Sequence, residues 1–397
     1  MKCSLVWMIL LVAGSVQFAL HADDDPPAKP AGSSAASPLN DENFFPIAVW
    51  VQSPANASKY RAAGINTYVG LWQGPTDQQL AELKREGLSV VCSQNAAGLK
   101  HKDDPTIIAW MHGDEPDNAQ ALPKGQQGYG PPIAPSKIIE DYQRLKAADP
   151  TRPVLLNLGQ GVAWDGWYGR GVRTNHPEDY PDYVKGSDIA SFDIYPACHD
   201  HKDVAGKLWM VADGVSRLKK WTTPRQSVWN CIECTHISNA NARATPQQVK
   251  AEVWMSLIRG SQGLIYFCHQ FKPTFIEAGL LADEEMVKEV TAVNQQIQKL
   301  AMVLNSPSVP EGVTVTSSVK DVPVEAMVKK HGGSTYVFAV AMRDGATKVT
   351  FRVVGESGAA QAEVLGENRQ VDVRDGAFSD DFKPWSVHLY RLATSSR

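Results

Sequence analysis

Three features of this chain predict a (β/α)8 barrel, the TIM barrel, followed by a small C-terminal antiparallel β-sandwich. From Phe44 to about residue 305, short apolar runs of strand length alternate with amphipathic runs of helix length, the pattern of a parallel sheet with crossover helices. Eight strand-like runs can be counted, the number that closes such a barrel. After Asn305 the pattern changes to β-branched alternation broken by turn signals.

The predicted strands are Pro46–Val51, Ile65–Leu71, Leu88–Cys92, Ile107–His112, Pro153–Leu158, Asp188–Asp193, Ser227–Ile232 and Gly263–Cys268. Helical spacing places helices at Asp77–Glu86, Pro135–Ala148, Ala205–Trp221, Pro246–Arg259 and Asp283–Leu304. Pro135-Ser136 and Thr245-Pro246 read as helix starts, because proline is tolerated in a first turn. The third crossover, Ser93–Thr106, is the shortest unit. Downstream, VTVTSSV, STYVFAVAM, ATKVTFRVV, QVDVRDG and WSVHLYRL alternate as strands, with Gly332-Gly333 and Asp344-Gly345 as hairpin signals. The expected organisation is a signal peptide over 1–22, a disordered linker over 23–43, the barrel over 44–305 and the sandwich over 306–397.

Lys2, the apolar stretch Leu5–Leu20 and the small residue Ala22 form a secretory pattern, so a secreted or periplasmic location is expected. The stretch is short for a membrane span. The Pro-, Ala-, Ser- and Asp-rich segment Asp23–Asn40 has no apolar periodicity. Of 397 residues, 43% are hydrophobic and 21% charged, with a formal charge of −4 and scattered basic residues. That excludes a coiled coil and a nucleic-acid partner. Removing the signal leaves Cys92, Cys198, Cys231, Cys234 and Cys268, an odd number, so at least one thiol stays outside any intrachain disulfide. Neither a phosphate-cradling loop nor a nucleophile elbow is present, and no cofactor is implied.

Two predicted strands end in carboxylates. IIAWMHGDEPDN runs into Asp114-Glu115-Pro116, and QSVWNCIE ends at Glu233. Strand ends of a barrel share one face, so Glu115 and Glu233 are expected to look across one mouth. One acid to protonate a leaving oxygen and one carboxylate to meet an oxocarbenium-like centre are what cleaving a glycosidic bond requires.

In these residues the chain resembles the glycoside hydrolase clan A superfamily over about residues 44 to 305. The resemblance implies a retaining barrel enzyme acting on an oligo- or polysaccharide by double displacement. Glu115 would be the acid/base and Glu233 the nucleophile. The clan usually carries Asn before the strand-four Glu to bond the sugar 2-hydroxyl. Asp114 stands there in this chain and can accept that bond but has no amide hydrogen to give. A carboxylate beside Glu115 also raises the proton affinity of the pair.

Further candidates for substrate contact lie at the same strand ends. Tyr195 follows strand six, where a clan tyrosine often bonds the nucleophile; Asn157 ends strand five and His269 follows strand eight. Trp164, Trp167 and Tyr168 lie in the Gly-rich loop GQGVAWDGWYGRG, beside Asp165 and Arg170. Aromatic faces of this kind pack against sugar C–H groups. Trp50 and Trp72 end strands one and two, and Ala119–Ala134 follows Glu115 as a possible cleft wall.

Two other functions compete. One is a non-catalytic carbohydrate-binding barrel. The other is a zinc-dependent hydrolase built on Cys198-His199-Asp200-His201, Cys231, Cys234, His236, Cys268 and His269. The metal spacing is unconventional, and a disulfide such as Cys198 to Cys234, bridging adjacent loops, is the simpler use of those thiols.

Overall fold

The computed structural model describes residues 37–124, 126–357 and 360–393. The predicted signal peptide and most of the predicted linker lie outside them. Residues 37–43, expected within the disordered linker, are built into the fold. Ser37 caps a short 3-10 turn at Pro38–Asn40, and Leu39 joins the apolar cluster inside the barrel.

The barrel strands are β1 (Ile47–Trp50), β2 (Thr67–Val69), β3 (Ser89–Cys92), β4 (Ile107–Met111), β5 (Val154–Leu158), β6 (Ile189–Phe192), β7 (Ser227–Val228), β8 (Asn230–Glu233) and β9 (Leu264–Phe267). All pair in parallel, in the order β7-β6-β5-β4-β3-β2-β1-β9-β8. The two ends of that order are consecutive pieces of the seventh predicted strand, interrupted at Trp229. Its N–H donates to Ala190 O (2.9 Å), while the N–H of Asn230 donates to Gly263 O (3.2 Å). The chain itself therefore closes the cylinder, and eight expected strands become nine segments of one barrel.

Alternation along each strand divides the core. Ala48, Val69, Val91, Ala109, Leu155, Ile189, Cys231 and Ile265 belong to the interior cluster. Ile47, Tyr68, Val90, Trp110, Leu156, Ala190, Ile232 and Tyr266 pack in the layer shared with the helices.

The principal crossover helices are α1 (Ala57–Ala62), α2 (Asp77–Arg85), α3 (Ala96–Lys100), α4 (Pro135–Ala148), α5 (Tyr180–Tyr183), α6 (Met210–Trp221), α7 (Pro246–Ile258) and α8 (Glu284–Lys299), with a final turn α9 (Ala301–Leu304). Thr76 with Gln79 and Thr245 with Gln248 form reciprocal capping boxes on α2 and α7. The helix expected from Ala205 begins only at Met210, because Gly206 adopts a left-handed φ of 75°. The helix expected to run from Asp283 to Leu304 is broken at Leu300, which leaves helical geometry (ψ 6°).

The C-terminal unit is a sandwich of two antiparallel sheets, ordered β10-β13-β16 and β11-β12-β17-β14-β15. Its strands are β10 (Val313–Ser317), β11 (Val324–His331), β12 (Ser334–Ala341), β13 (Thr347–Val353), β14 (Gln361–Val364), β15 (Arg369–Asp372), β16 (Ala377–Phe382) and β17 (Val387–Ala393). Gly332-Gly333 makes the predicted β11–β12 turn. The larger sheet packs on the barrel through Phe338 against Trp254 of α7, at 5.2 Å between ring centroids. Among the described residues no helix is long and apolar enough to cross a membrane.

The closure can be tested at Gly263, where an added Cβ would stand 2.4 Å from the Trp229 ring. Gly263→Ala is expected to destabilise the protein by about 1–3 kcal/mol through overpacking, measured by denaturant unfolding.

Candidate active site at the mouth of the barrel

Asp114 and Glu115 follow β4 through Gly113. Glu115 takes φ 42°, a strained value for a residue with a Cβ. Its N–H donates to Asn157 O (3.2 Å), and its carbonyl accepts from Asn118 N–H (3.1 Å), so the bend is pinned from both sides. Room for it comes from Gly159, where a Cβ would lie 2.9 Å from the Asn118 amide and 3.0 Å from Glu115 Oε1.

The carboxyl in contact with Glu115 is Asp193, which follows β6. Asp193 Oδ1 is buried and receives no other hydrogen bond. Two carboxylates in contact cannot both stay ionised in a poorly hydrated place, so the pair shares a proton. Burial first, and then the Asp114 charge, push Glu115 up from 4.5 to about 7. Burial, followed by the Glu115 charge, raises Asp193 well above the usual carboxylate range. The pair therefore loses its first proton near neutrality, and each carboxyl holds its proton more tightly than a free one does.

Asp114 stays open to solvent. The surrounding protein nevertheless crowds it enough to raise its proton affinity, against the opposing hydrogen bond from Asn157. Asn157 Nδ2 donates to Asp114 Oδ1 (2.9 Å), and Asn157 Oδ1 accepts from Ser191 Oγ (2.8 Å), which fixes the amide orientation. Behind them Asp117 is fully buried and accepts from Gly159 N–H (2.9 Å) and Tyr180 Oη (2.8 Å). Arg170, also buried, donates to the Asp117 carbonyl and pairs with Asp179. These bonds lock the turn after β4 to the loop after β5.

Glu233 does not take the position expected of it. Its side chain is completely buried, and its two oxygens accept from the backbone N–H groups of Ala197 (2.6 Å) and Cys198 (2.8 Å). Its neighbour is the equally buried carboxyl of Glu252 on α7, which finds no donor besides the shared proton of this second pair. Burial raises both groups. A carboxylate held this way anchors the loop after β6 and presents no free oxygen to the mouth. Tyr195, expected beside the nucleophile, instead packs its ring on Phe267 at 5.1 Å, and its buried hydroxyl lies beside Asp193 without a hydrogen-bond partner among the described residues.

The tryptophan-rich loop forms one wall. Trp164, Trp167, Tyr168, His199 and His201 make a continuous ring cluster, with Trp164 to His201 at 4.7 Å and Trp167 to Tyr168 at 4.7 Å. Trp167 Nε1 donates to Asn118 Oδ1 (2.8 Å), tying this wall to the acids. His269 lies across the mouth, stacked on Phe271 and in contact with Gln52 Nε2. Trp72 is exposed after β2, whereas Trp50 is buried in the barrel interior and offers no ring face. The Ala119–Ala134 segment does lean on the loop after β5, through Ala119 N–H to Gly169 O (2.8 Å).

Cys92, Cys198, Cys231, Cys234 and Cys268 are all free and buried, so the Cys198 to Cys234 disulfide is not formed. Among the described residues no group of three or more His, Cys, Asp or Glu is arranged to hold a metal ion. His236 is occupied by the carbonyls of Asn239 and Ala242.

The residue that reading the sequence missed is Asp193. Its signal is present in the sequence, since DIASFD is itself a strand run ending in a carboxylate. Asp117 and Asn118 carried no comparable signal, because loop acids and amides are ordinarily solvated.

Two measurements test this geometry. Carboxyl NMR should find Glu115 titrating near 7, and Asp114→Asn should lower that value by removing the like charge. Because the folded pKa lies above the unfolded one, the folded protein binds more protons between about 4.5 and 7. Stability should thus fall as pH rises through that window, and Glu115→Gln should flatten the slope. Separately, Glu233→Gln turns an amide N–H₂ toward a backbone N–H and is expected to cost about 1–3 kcal/mol of unfolding free energy in a chemical melt.

No family model matches the chain, and no curated protein sequence does. Solved structures do. AmyP in complex with maltose is similar at a TM-score of 0.55 and 8% identity, over 90% of this chain and 98% of that one. An α-amylase from Geobacillus thermoleovorans complexed with acarbose is similar at 0.54 and 11%, over 89% and 99%. An endoxylanase from Clostridium papyrosolvens is similar at 0.50 and 10%, over 89% and 96%. At these identities the likeness is one of fold, and by it and its own strand order the chain is a (β/α)8 barrel carrying a C-terminal β-sandwich.

Proposed function

We propose that this protein is a glycosidase that hydrolyses O-glycosidic bonds of an oligo- or polysaccharide, with Glu115 as the proton donor. The observation that carries this reading is the proton-sharing pair Glu115–Asp193, set beside an open Asp114 and walled by aromatic rings. A carboxyl pushed up to about 7 stays protonated at mildly acidic pH and is a competent general acid. As Glu115 gives its proton to the leaving oxygen, the proton on Asp193 donates to the carboxylate left behind. Asp114, oriented by Asn157, is the carboxylate suited to stabilise the oxocarbenium-like centre, directly or by activating water. Glu233 enters this scheme as the anchor of the Tyr195–Cys198 loop, because double displacement through it would require both of its backbone bonds to break first.

The fold-level neighbours whose names mention maltose, acarbose and xylan-cleaving activity agree with a sugar substrate. Export, read from the N-terminal pattern, belongs to the same proposal and fits a polysaccharide met outside the cell.

On any glycan the protein cleaves, Glu115→Gln should lower kcat by roughly 10²–10⁴-fold, the typical contribution of a positioned acid. The wild-type rate should decline as pH rises through about 7, as the donor loses its proton. Unchanged turnover in that variant would refute the assignment. Binding without turnover across a broad glycan panel would favour the non-catalytic carbohydrate-binding barrel instead.

A further inference from the structure

The exposed aromatic residues are distributed unevenly. Trp72 (74%), Tyr129 (76%), Tyr168 (62%), Phe271 (47%) and Phe275 (65%) are the strongly exposed rings among the described residues. All five lie in segments that follow barrel strands, and therefore on the mouth side. Exposed rings gathered on one face mark a binding surface.

Phe271 and Phe275 belong to a second ring cluster, apart from the tryptophan-rich wall. His269 stacks on Phe271 at 5.9 Å with 9° between planes, Phe275 lies 5.8 Å from Phe271, and Phe267 lies 5.4 Å from His269. The segment that bears them is a built turn. Gln270 and Ile276 exchange backbone hydrogen bonds of 2.9 and 2.8 Å, and Phe271 N–H donates to Ile237 O (2.7 Å) in the loop after β8. Buried Gln52 supplies an amide beside His269, a polar group next to the ring faces.

Each cluster reaches the acid pair through one intervening side chain. On one side Trp167 bonds Asn118, which bonds Glu115. On the other, Phe267 packs on Tyr195, whose buried hydroxyl lies beside Asp193. The acids thus stand between two aromatic platforms. A substrate that only inserted a terminal sugar would need one platform. The open Asp114, with the charge that the Glu115–Asp193 pair takes on near neutrality, is also inhospitable to a polyanion.

We propose that the turn carrying Phe271 and Phe275 is a second sugar-binding platform, and that the substrate is an internal stretch of a neutral glycan bound on both sides of Glu115. This rests on the glycosidase reading above and adds chain length and charge class to it.

The test uses the full-length Glu115→Gln variant with and without Phe271→Ala and Phe275→Ala. Affinity is measured for neutral malto-, xylo- and cello-oligosaccharides from disaccharide to hexasaccharide, and wild-type products are sized on the matching polymers. Affinity is expected to climb with chain length, and loss of both rings to weaken the longest ligands by roughly ten- to a hundredfold while barely changing the disaccharide. Phe271→Trp with Phe275→Tyr should restore the long-chain affinity, which separates lost stacking from lost folding. Wild-type turnover with no chain-length dependence on the two rings, or release of terminal units only, overturns the second platform and leaves the glycosidase reading standing. Failure to bind or cleave any of these neutral glycans overturns the proposal. If an acidic glycan is cleaved instead, the glycosidase reading survives it.

Discussion

Trp229 holds together the two edges of one sheet. The segments on either side of it pair with β6 and with β9, so the strand that would otherwise leave two open edges joins them. Parallel closure has a consequence for chemistry. Every strand delivers its C-terminal end to the same rim, so residues spread along the sequence from Trp72 to Phe275 meet around one opening. The small Gly263 that admits the Trp229 indole is therefore as important to the mouth as residues that line it.

Within that opening, burial acts on like charges. Water is largely excluded from Glu115 and Asp193, and each raises the proton affinity of the other. The same physics acts at Glu233 and Glu252, with a different outcome. There the carboxylate is saturated by two backbone N–H groups and sealed from solvent, which suits it to hold a loop. At the rim, Glu115 keeps an accessible edge and a strained backbone. Two glutamates at strand ends thus acquire different duties from solvent access and hydrogen-bond partners.

The aromatic walls depend on the acids' own scaffold. Asn118 and Tyr195 each stand between an acid and an aromatic ring, Asn118 through its backbone bond to Glu115 and Tyr195 by packing beside Asp193, so cleft shape and proton chemistry are mechanically joined. The buried Arg170–Asp117–Tyr180 network stiffens the loops beneath them, where a long glycine-rich segment would otherwise be loose.

The sequence by itself determined the fold class, because hydrophobic period and turn chemistry are local. Strand runs, the Pro135 and Thr245 helix starts and the Gly332-Gly333 hairpin could all be read in place. It also pointed to Glu115, Asp114, Asn157 and the tryptophan loop as residues of one rim, since closure of a parallel barrel carries strand ends to a common face. Tertiary structure alone decided that Glu115 meets Asp193 rather than Glu233, that Trp50 is core, and that Leu39 packs inside the barrel. The reason is physical. Where a carboxylate's oxygens go, which ring is covered and which charge lacks water are set by groups far away in the chain, and no local pattern encodes them.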